Sequence, residues 1–477
     1  MSTKKSSAKP IGHAEHTKPS EFRGLPGKFR RPIKLTMMGA GSGFTPQLVK
    51  DLALTPGNMG GTIALVDIDK KRLMTMHQLL EKQIGFLGAD NWKFTATTDR
   101  TKALPGSDYI VNCIEVSGLD CVRFDNDIPA RYGIDQCIGD TIGPGGLFKA
   151  LRTIPAWLDI LADAERYCPE AIVLNYTNPM NMLCLAAGRT SSMQIIGLCH
   201  SVQGTSHLLA KRAGVPYEEM VWECAGINHL AWFTKLEHKG NDLYPLLFRK
   251  AEQDLAGKLV DKTDLDLVRK DMMLHFGAFI TESSGHLSEY VPYYRKRKDL
   301  IKKYCRPRYD GESGFYVNNW PRWRAEYDAE RLRKLKAKEF VLGERSWEYA
   351  SWIIEAREKD VPTRIHGNVM NSLAEGEGKL ISNLPADGCV EVACMIDDNG
   401  INPTRYGYLP PQMAALCDSN MRMFDLGATA AIEKSKEAAI LALMLDPLTA
   451  SVCSPAEIKK MTLEMFHAEK AFLKGYR

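Results

Sequence analysis

Ile33-Lys34-Leu35-Thr36-Met37-Met38-Gly39-Ala40-Gly41-Ser42 is the stretch from which the fold can be read. A mainly apolar run ends in Gly-x-Gly, and a helical pattern begins near Thr45. A glycine at 39 permits a tight turn, and a glycine at 41 followed by Ser42 lets the backbone approach a pyrophosphate. A helix from Thr45 would aim its N-terminal amides at that charge. The third glycine of this fingerprint is replaced by Phe44, with Gly43 just before it, so the motif departs from the usual pattern. Asp67 closes the next apolar run, where a carboxylate accepts hydrogen bonds from adenosine ribose hydroxyls and favours NAD over NADP. Gly39, Gly41, Ser42 and Asp67 are the dinucleotide contacts that this pattern predicts.

Working outward, short apolar runs alternate with helical segments. Strands are predicted over residues 33–38, 62–67, 93–97, 109–114, 171–175 and 194–198, with amphipathic helices such as 71–84 and 147–167 between them. Near-continuous apolar strands joined by helices imply a parallel sheet covered on both faces. The ligand crevice of such a sheet lies beyond the carboxyl ends of its strands, where Gly39, Asp67, Asn178 and Cys199 fall. Beyond residue 205 the pattern turns mixed. Alternating runs at 220–224 and 229–236 suggest a hairpin, residues 324–359 read as charged helix, 389–396 as a strand, and the last sixty residues as helices. The predicted class is α/β: a Rossmann-like doubly wound parallel sheet with a mixed α+β region. Residues 1–31 would form a disordered basic tail, 32–205 an NAD-binding domain, and 206–477 a mixed domain for substrate, metal and oligomerisation.

At 477 residues and 44% hydrophobic content the chain can bury a large core. Its formal charge is +4, yet residues 1–31 carry eight Lys/Arg against two Glu, which is +6 there and leaves −2 for the rest. A Ser-, Lys- and Pro-rich basic terminus is usually solvated, so neither a nucleic acid nor a membrane partner is predicted from it. No apolar run approaches a membrane span or a secretory core. The twelve cysteines occur singly, without CxxC pairs, which suits a reducing cytoplasm better than a disulfide framework.

Asn175-Tyr176-Thr177-Asn178-Pro179-Met180 follows the fifth strand; Pro179 can begin a helix, leaving Asn178 at an N-cap with its side chain available to a ligand. Cys199-His200 and Asn228-His229 offer soft and borderline metal donors. By themselves they are weak, since a lone cysteine beside a strand is usually a small buried hydrophobe and two ligands are few.

Gly197-Leu198-Cys199-His200-Ser201-Val202-Gln203-Gly204-Thr205 makes the reading specific. With Asp140-Thr141-Ile142-Gly143-Pro144-Gly145-Gly146, Cys224-Ala225-Gly226-Ile227-Asn228-His229, Thr281-Glu282-Ser283-Ser284-Gly285-His286 and Ser288-Glu289-Tyr290-Val291-Pro292, it resembles the NAD- and metal-dependent family 4 glycoside hydrolases. Within that family it is most similar to the melibiose-cleaving α-galactosidases, and the likeness runs from about Ile33 to the C-terminal helices. The resemblance implies a fold of the lactate/malate dehydrogenase superfamily, NAD and a divalent metal such as Mn2+ as cofactors, and a homodimer or homotetramer. It further implies Cys199 and His229 as metal ligands, Asn178 as a substrate contact and Tyr290 as catalytic base. His200 takes the acid position less securely, because phospho-sugar relatives carry an aspartate there. The implied substrate is a small α-galactoside, with oxidation at C3, proton removal at C2, elimination of the aglycone and addition of water; this family is a recognised exception to two-carboxylate glycoside hydrolysis. Asp125 and Asp127 are further carboxylates placed near the tyrosine on sequence alone.

Galactose over glucose or galacturonate rests on Ser201-Val202, so α-glucosidase and α-galacturonidase remain open. A 2-hydroxy-acid dehydrogenase shares the glycine turn and the Thr-Asn-Pro stretch, but not the length beyond residue 330 or the Cys199/His229 pair. A non-catalytic nucleotide sensor with a DNA-binding tail is the third class.

Overall fold

The computed structural model describes residues 24–258, 261, 263–339, 342–372 and 378–477. Six strands form its parallel half: β1 (Ile33–Met38), β2 (Gly61–Val66), β3 (Trp92–Thr97), β4 (Tyr109–Asn112), β5 (Ile172–Asn175) and β6 (Gln194–Gly197). Their order is β6-β5-β4-β1-β2-β3, all parallel. The chain reverses its direction of winding between β1 and β4, and the crevice opens past the carboxyl ends of these two strands. β4 and β5 are buried at every residue, as a sheet covered by helices on both faces requires.

The second half adds β7 (Met220–Ile227), β8 (Leu230–His238), β9 (Asn241–Asp242), β10 (Phe279–Ile280), β11 (Thr363–Met370), β12 (Cys389–Asp397) and β13 (Gly400–Pro403). β7 and β8 are the predicted hairpin, antiparallel with a bulge between Glu223 and Cys224. These strands do not form a separate sheet. β11 pairs with β6 at Asn368 and Gly197, and β12 joins β11 to β7, so the two halves make one continuous 13-stranded sheet. The division expected at residue 205 therefore falls within one packed body.

Three expectations are corrected. Residues 1–23 of the supposed tail lie outside the described residues, but 24–31 are packed: Leu25 and Phe29 are buried, and the Leu25 amide donates to Glu355 at 2.8 Å. Arg31, within the same stretch, pairs with Asp108 at 2.5 Å and Glu358 at 3.1 Å. The charged stretch read as one helix is two, Phe315–Lys336 and Tyr349–Lys359, interrupted where Ser346 turns in to donate to Asp51. Pro179 sits at the N-cap of the Met180–Thr190 helix after a cis Asn178–Pro179 bond, so Asn178 precedes the cap. Among the described residues no helix is long and apolar enough to cross a membrane.

Candidate active site

The dinucleotide end of the crevice is made by backbone shape. Gly39 has φ +73°, and a Cβ there would lie 2.5 Å from the carbonyl oxygen of Cys113, so only glycine fits between β1 and β4. Asp67 accepts from the Gly41 amide at 2.8 Å and from the Asp69 amide at 2.9 Å, which pins the end of β2 to the turn. The turn's own amides are largely committed. Ser42 donates to the Gly39 carbonyl at 2.9 Å, Phe44 to the Ser42 hydroxyl at 3.2 Å, and Thr45 to the Ser42 carbonyl at 3.3 Å. Pro46 then supplies no donor, so the Thr45–Ala53 helix offers its dipole rather than the fan of free amides expected from sequence. Phe44, in the third-glycine position, packs its ring 4.9 Å from Tyr176 and 5.8 Å from His200, linking the turn to the chemistry beyond it.

The other end is made by side chains, and strand register assembles it. β10 pairs with β8 so that Ile280 faces Trp232, and the Thr281 amide donates to Ala231 at 2.9 Å. Glu282, next along, is thereby set beside His229, which immediately precedes β8. Both hold left-handed backbone angles, φ +64° at His229 and +69° at Glu282, an arrangement that costs strain in non-glycine residues and concentrates at functional sites. Cys199 Sγ lies 3.4 Å from His229 Nε2, and His229 Nε2 lies 3.7 Å from Glu282 Oε2. The three ligand atoms all fall within 4.8 Å of one another. One sulfur, one imidazole nitrogen and one carboxylate oxygen converging at this spacing fit a divalent transition ion with positions left open.

Charged groups surround this cluster. His286 Nδ1 is 3.3 Å from Glu282 Oε1, and its ring meets that of His229 edge-on at 4.6 Å. Burial pushes the Cys199 thiol above its ordinary pKa. His200 pairs with Glu348; burial alone would lower its pKa, but that carboxylate outweighs it and raises the imidazole to about 9. Lys149 bridges Glu115 at 3.3 Å and Asp140 at 3.4 Å, and burial, which would neutralise it, is overcome by these two charges. Asp140 is half-buried on the cleft wall; Lys149 and the imidazoles of His286 and His229 hold it below the usual carboxylate range against the desolvation it suffers there.

Tyr290 ends the short Ser284–Tyr290 helix, fully buried, with its ring 6.0 Å from that of His229. Burial drives its phenol well above the ordinary value. Its neighbour Glu289 accepts from the amides of Cys137, Ile138 and Gly139 at 2.5, 2.8 and 3.2 Å, tying the tyrosine's helix to the loop that carries Asp140. The carboxylate guessed to lie near the tyrosine is thus Asp140, not Asp125 or Asp127. Asp125 is bound to Arg152 at 2.7 and 3.0 Å, and exposed Asp127 accepts from Asn126.

A single cleft of about 860 Å³ joins the two ends. Gly39, Gly41, Ser42, Asp67, Asn178, Cys199 and His200 all line it, together with Asp140 and Lys149. His229, Glu282 and Tyr290 are not among its lining residues and stand behind Cys199. Sequence reading missed Glu282, Asp140, Lys149 and Glu348. Glu282 and Asp140 lay inside quoted motifs, whereas nothing local marked Lys149 or Glu348.

Comparison with known proteins gives the family. Residues 34–215 match the model for "Family 4 glycosyl hydrolase" and residues 224–449 that for "Family 4 glycosyl hydrolase C-terminal domain". An alpha-galactosidase of Bacillus subtilis is 38% identical, with 93% of this chain and 100% of that protein covered. An alpha-galactosidase of Rhizobium meliloti is 35% identical over 93% and 90%. An alpha-galacturonidase of Thermoanaerobacter italicus is 29% identical over 93% and 98%. The crystal structure of lplD from Bacillus subtilis superposes with a TM-score of 0.78 at 26% identity, covering 91% of this chain and 99% of that one. A 6-phospho-alpha-glucosidase from gut microorganisms, solved with NAD and Mn2+, gives 0.75 at 23% identity over 93% and 99%. With both family models matched in series along the same cleft-bearing body, the chain belongs to family 4 of the glycosyl hydrolases.

Proposed function

We propose that the chain hydrolyses small α-galactosides with NAD and a divalent metal, Mn2+ in the first instance, as resident cofactors. One observation carries this reading: the glycine turn, Asp67 and Cys199 line the same cleft, and Cys199 brings with it the His229 and Glu282 donor atoms that converge behind it. Galactose as the glycone is supported by the two alpha-galactosidase relatives above 30% identity. Residues 32–205 supply the turn, Asn178, Cys199 and His200, while 206–477 supply His229, Glu282 and Tyr290.

Gly39, Gly41, Ser42 and Asp67 would hold the dinucleotide, and Cys199, His229 and Glu282 the metal. Bound there, the pair supplies reversible oxidation at C3 of the sugar and polarisation of its C2 and C3 oxygens. Asn178, on the cleft wall, orients the glycone. Tyr290 takes the C2 proton, which is acidic only while C3 is oxidised. A phenol buried this deeply is a poor base unless a cation stands close, as a metal held by Cys199, His229 and Glu282 would. His200, held by Glu348 with its side chain 50% exposed, donates a proton to the leaving oxygen at C1. Asp140 and Lys149 set the field between acid and base. Water then adds at C1, C2 regains its proton, and C3 is restored, so the net reaction is hydrolysis.

A panel of nitrophenyl α-galactoside, α-glucoside and α-galacturonide, run in D₂O with Mn2+, NAD⁺ and reductant, tests the reading. Deuterium at C2 of released galactose and no net NADH are expected. Full-rate cleavage by dinucleotide-free protein would overturn the mechanism, and preference for galacturonide would overturn the substrate. Net NADH from malate or lactate would restore the dehydrogenase alternative.

A further inference from the structure

The Phe315–Lys336 helix runs along the cleft, and its composition is unlike that of any helix packed on the sheet. Of its 22 residues only Phe315, Val317 and Arg331 are buried. Tyr316, Trp320, Arg324, Tyr327 and Arg331 line the cleft, spaced four, four, three and four residues apart, which is one face of a helix. That face presents aromatic rings and guanidinium groups instead of the aliphatic stripe a structural helix buries. It is also tied to the dinucleotide side of the protein. Arg72 donates to Asp328 at 2.6 and 2.9 Å, and Lys82 caps the last carbonyls, reaching Leu335 at 2.7 Å. The Tyr327 ring stands 3.7 Å from where a Cβ on Gly43 would be, directly over the glycine turn.

Arg331 is the strongest signal. Its side chain is 7% exposed and its sole acid partner is Asp328 at 3.3 Å, while its Nε is buried with no hydrogen-bond partner among the described residues. The Nε of Arg324 is equally unpartnered. Burying such donors is unfavourable unless something accepts from them. At the same time the turn's amides at Gly41, Ser42, Phe44 and Thr45 are already engaged, so a pyrophosphate entering here finds few backbone donors. We propose that the Phe315–Lys336 helix is a dinucleotide clamp, in which Arg331 and Arg324 donate charge-assisted hydrogen bonds to the phosphates and Tyr327 packs on the cofactor. This rests on the cofactor reading above and adds to it the residues that supply the phosphate donors which the engaged turn amides do not.

Calorimetric titration of NAD⁺ into the full-length protein and into Arg331→Gln and Arg324→Gln tests the clamp. Each loss of a charge-assisted bond is expected to weaken binding by roughly tenfold or more. ADP should lose as much as NAD⁺ and nicotinamide mononucleotide less, Arg331→Lys should recover part of the affinity, and Mn2+ affinity should stay unchanged. If the wild type binds NAD⁺ and both glutamine variants bind it equally well, the clamp is wrong and the cofactor reading stands. If the wild type binds no dinucleotide, the cofactor reading fails and takes the clamp with it. Should Arg331→Gln not fold, half-exposed Arg324→Gln decides alone, and undiminished affinity there overturns the proposal.

Discussion

At the dinucleotide end of the cleft the ligand's place is set by what is missing: a side chain at Gly39, whose Cβ would strike Cys113. At the metal end it is set by what is present, namely three donor atoms from a loop after β6, a residue before β8 and a residue after β10. The difference teaches how each end should fail. Space lost at the first end is a clash that no chemistry repairs, whereas a donor lost at the second leaves the backbone in place and removes a bond to a cation.

The largest effect that can break this comparison is expected at Cys199. If it holds the metal as proposed, replacing it with alanine would remove a ligand from a Lewis-acid site worth several kcal/mol in the transition state, which corresponds to roughly 10³-fold or more in turnover. The metal content by mass spectrometry should fall, while NAD⁺ affinity changes little. Equal loss of both cofactors would show that the two ends are not independently built. Air oxidation of the same thiol should act like the substitution and be prevented by reductant.

Glu282→Gln is next in size. It keeps the shape and one oxygen but removes the charge, so Mn2+ affinity is expected to drop roughly 10- to 100-fold, the scale on which groups supporting a metal act. Unchanged affinity would reduce the site to Cys199 and His229 and leave Glu282 as the partner of His286 only. Gly39→Ala probes the other end. A left-handed φ together with backbone contact at 2.5 Å should cost about 2 kcal/mol. The cost should be read as weakened NAD⁺ binding with retained Mn2+ affinity, the mirror image of Cys199→Ala.

The same contrast explains what could be read from the chain alone. The glycine turn, Asp67 and all six parallel strands are local patterns, each contained in a window shorter than one strand-helix unit, and their positions were legible to within a residue or two. Cys199 and His229 became candidates only through a family likeness, because nothing local distinguishes a candidate ligand from a buried small side chain, and the structure brings their donor atoms together. Glu282 comes to His229 only through the β8/β10 register, and Glu348 reaches His200 across 148 residues. Lys149 looked like one more position in a long helix. Arg331 fell within the stretch 324–359 read as charged helix, and its charge gave no hint that the helix lies against the cleft. The antiparallel strand β11, broken by Gly367 and polar at His366 and Asn368, carried no clean alternation and was missed as a strand.

The smallest expected effect separates scaffold from site. Asp446 caps the Pro447–Val452 helix, accepting from the Thr449 amide at 2.7 Å, and is fully buried without lining the cleft. Burial raises its carboxyl from 3.8 to about 6. The folded chain therefore binds more protons than the unfolded one between these values. Its contribution to stability is complete below the unfolded pKa and is lost as pH rises through the folded one. Asp446→Asn keeps a competent cap but cannot titrate. From pH 5 to 7 the wild type should lose about 1 kcal/mol relative to this variant, measured as the difference between their urea midpoints at each pH. Parallel pH curves would mean that Asp446 is ionised throughout. A sloping difference with unchanged Mn2+ and NAD⁺ affinities would confine this titration to the scaffold, leaving any remaining pH dependence of catalysis to the residues between the glycine turn and the metal cluster.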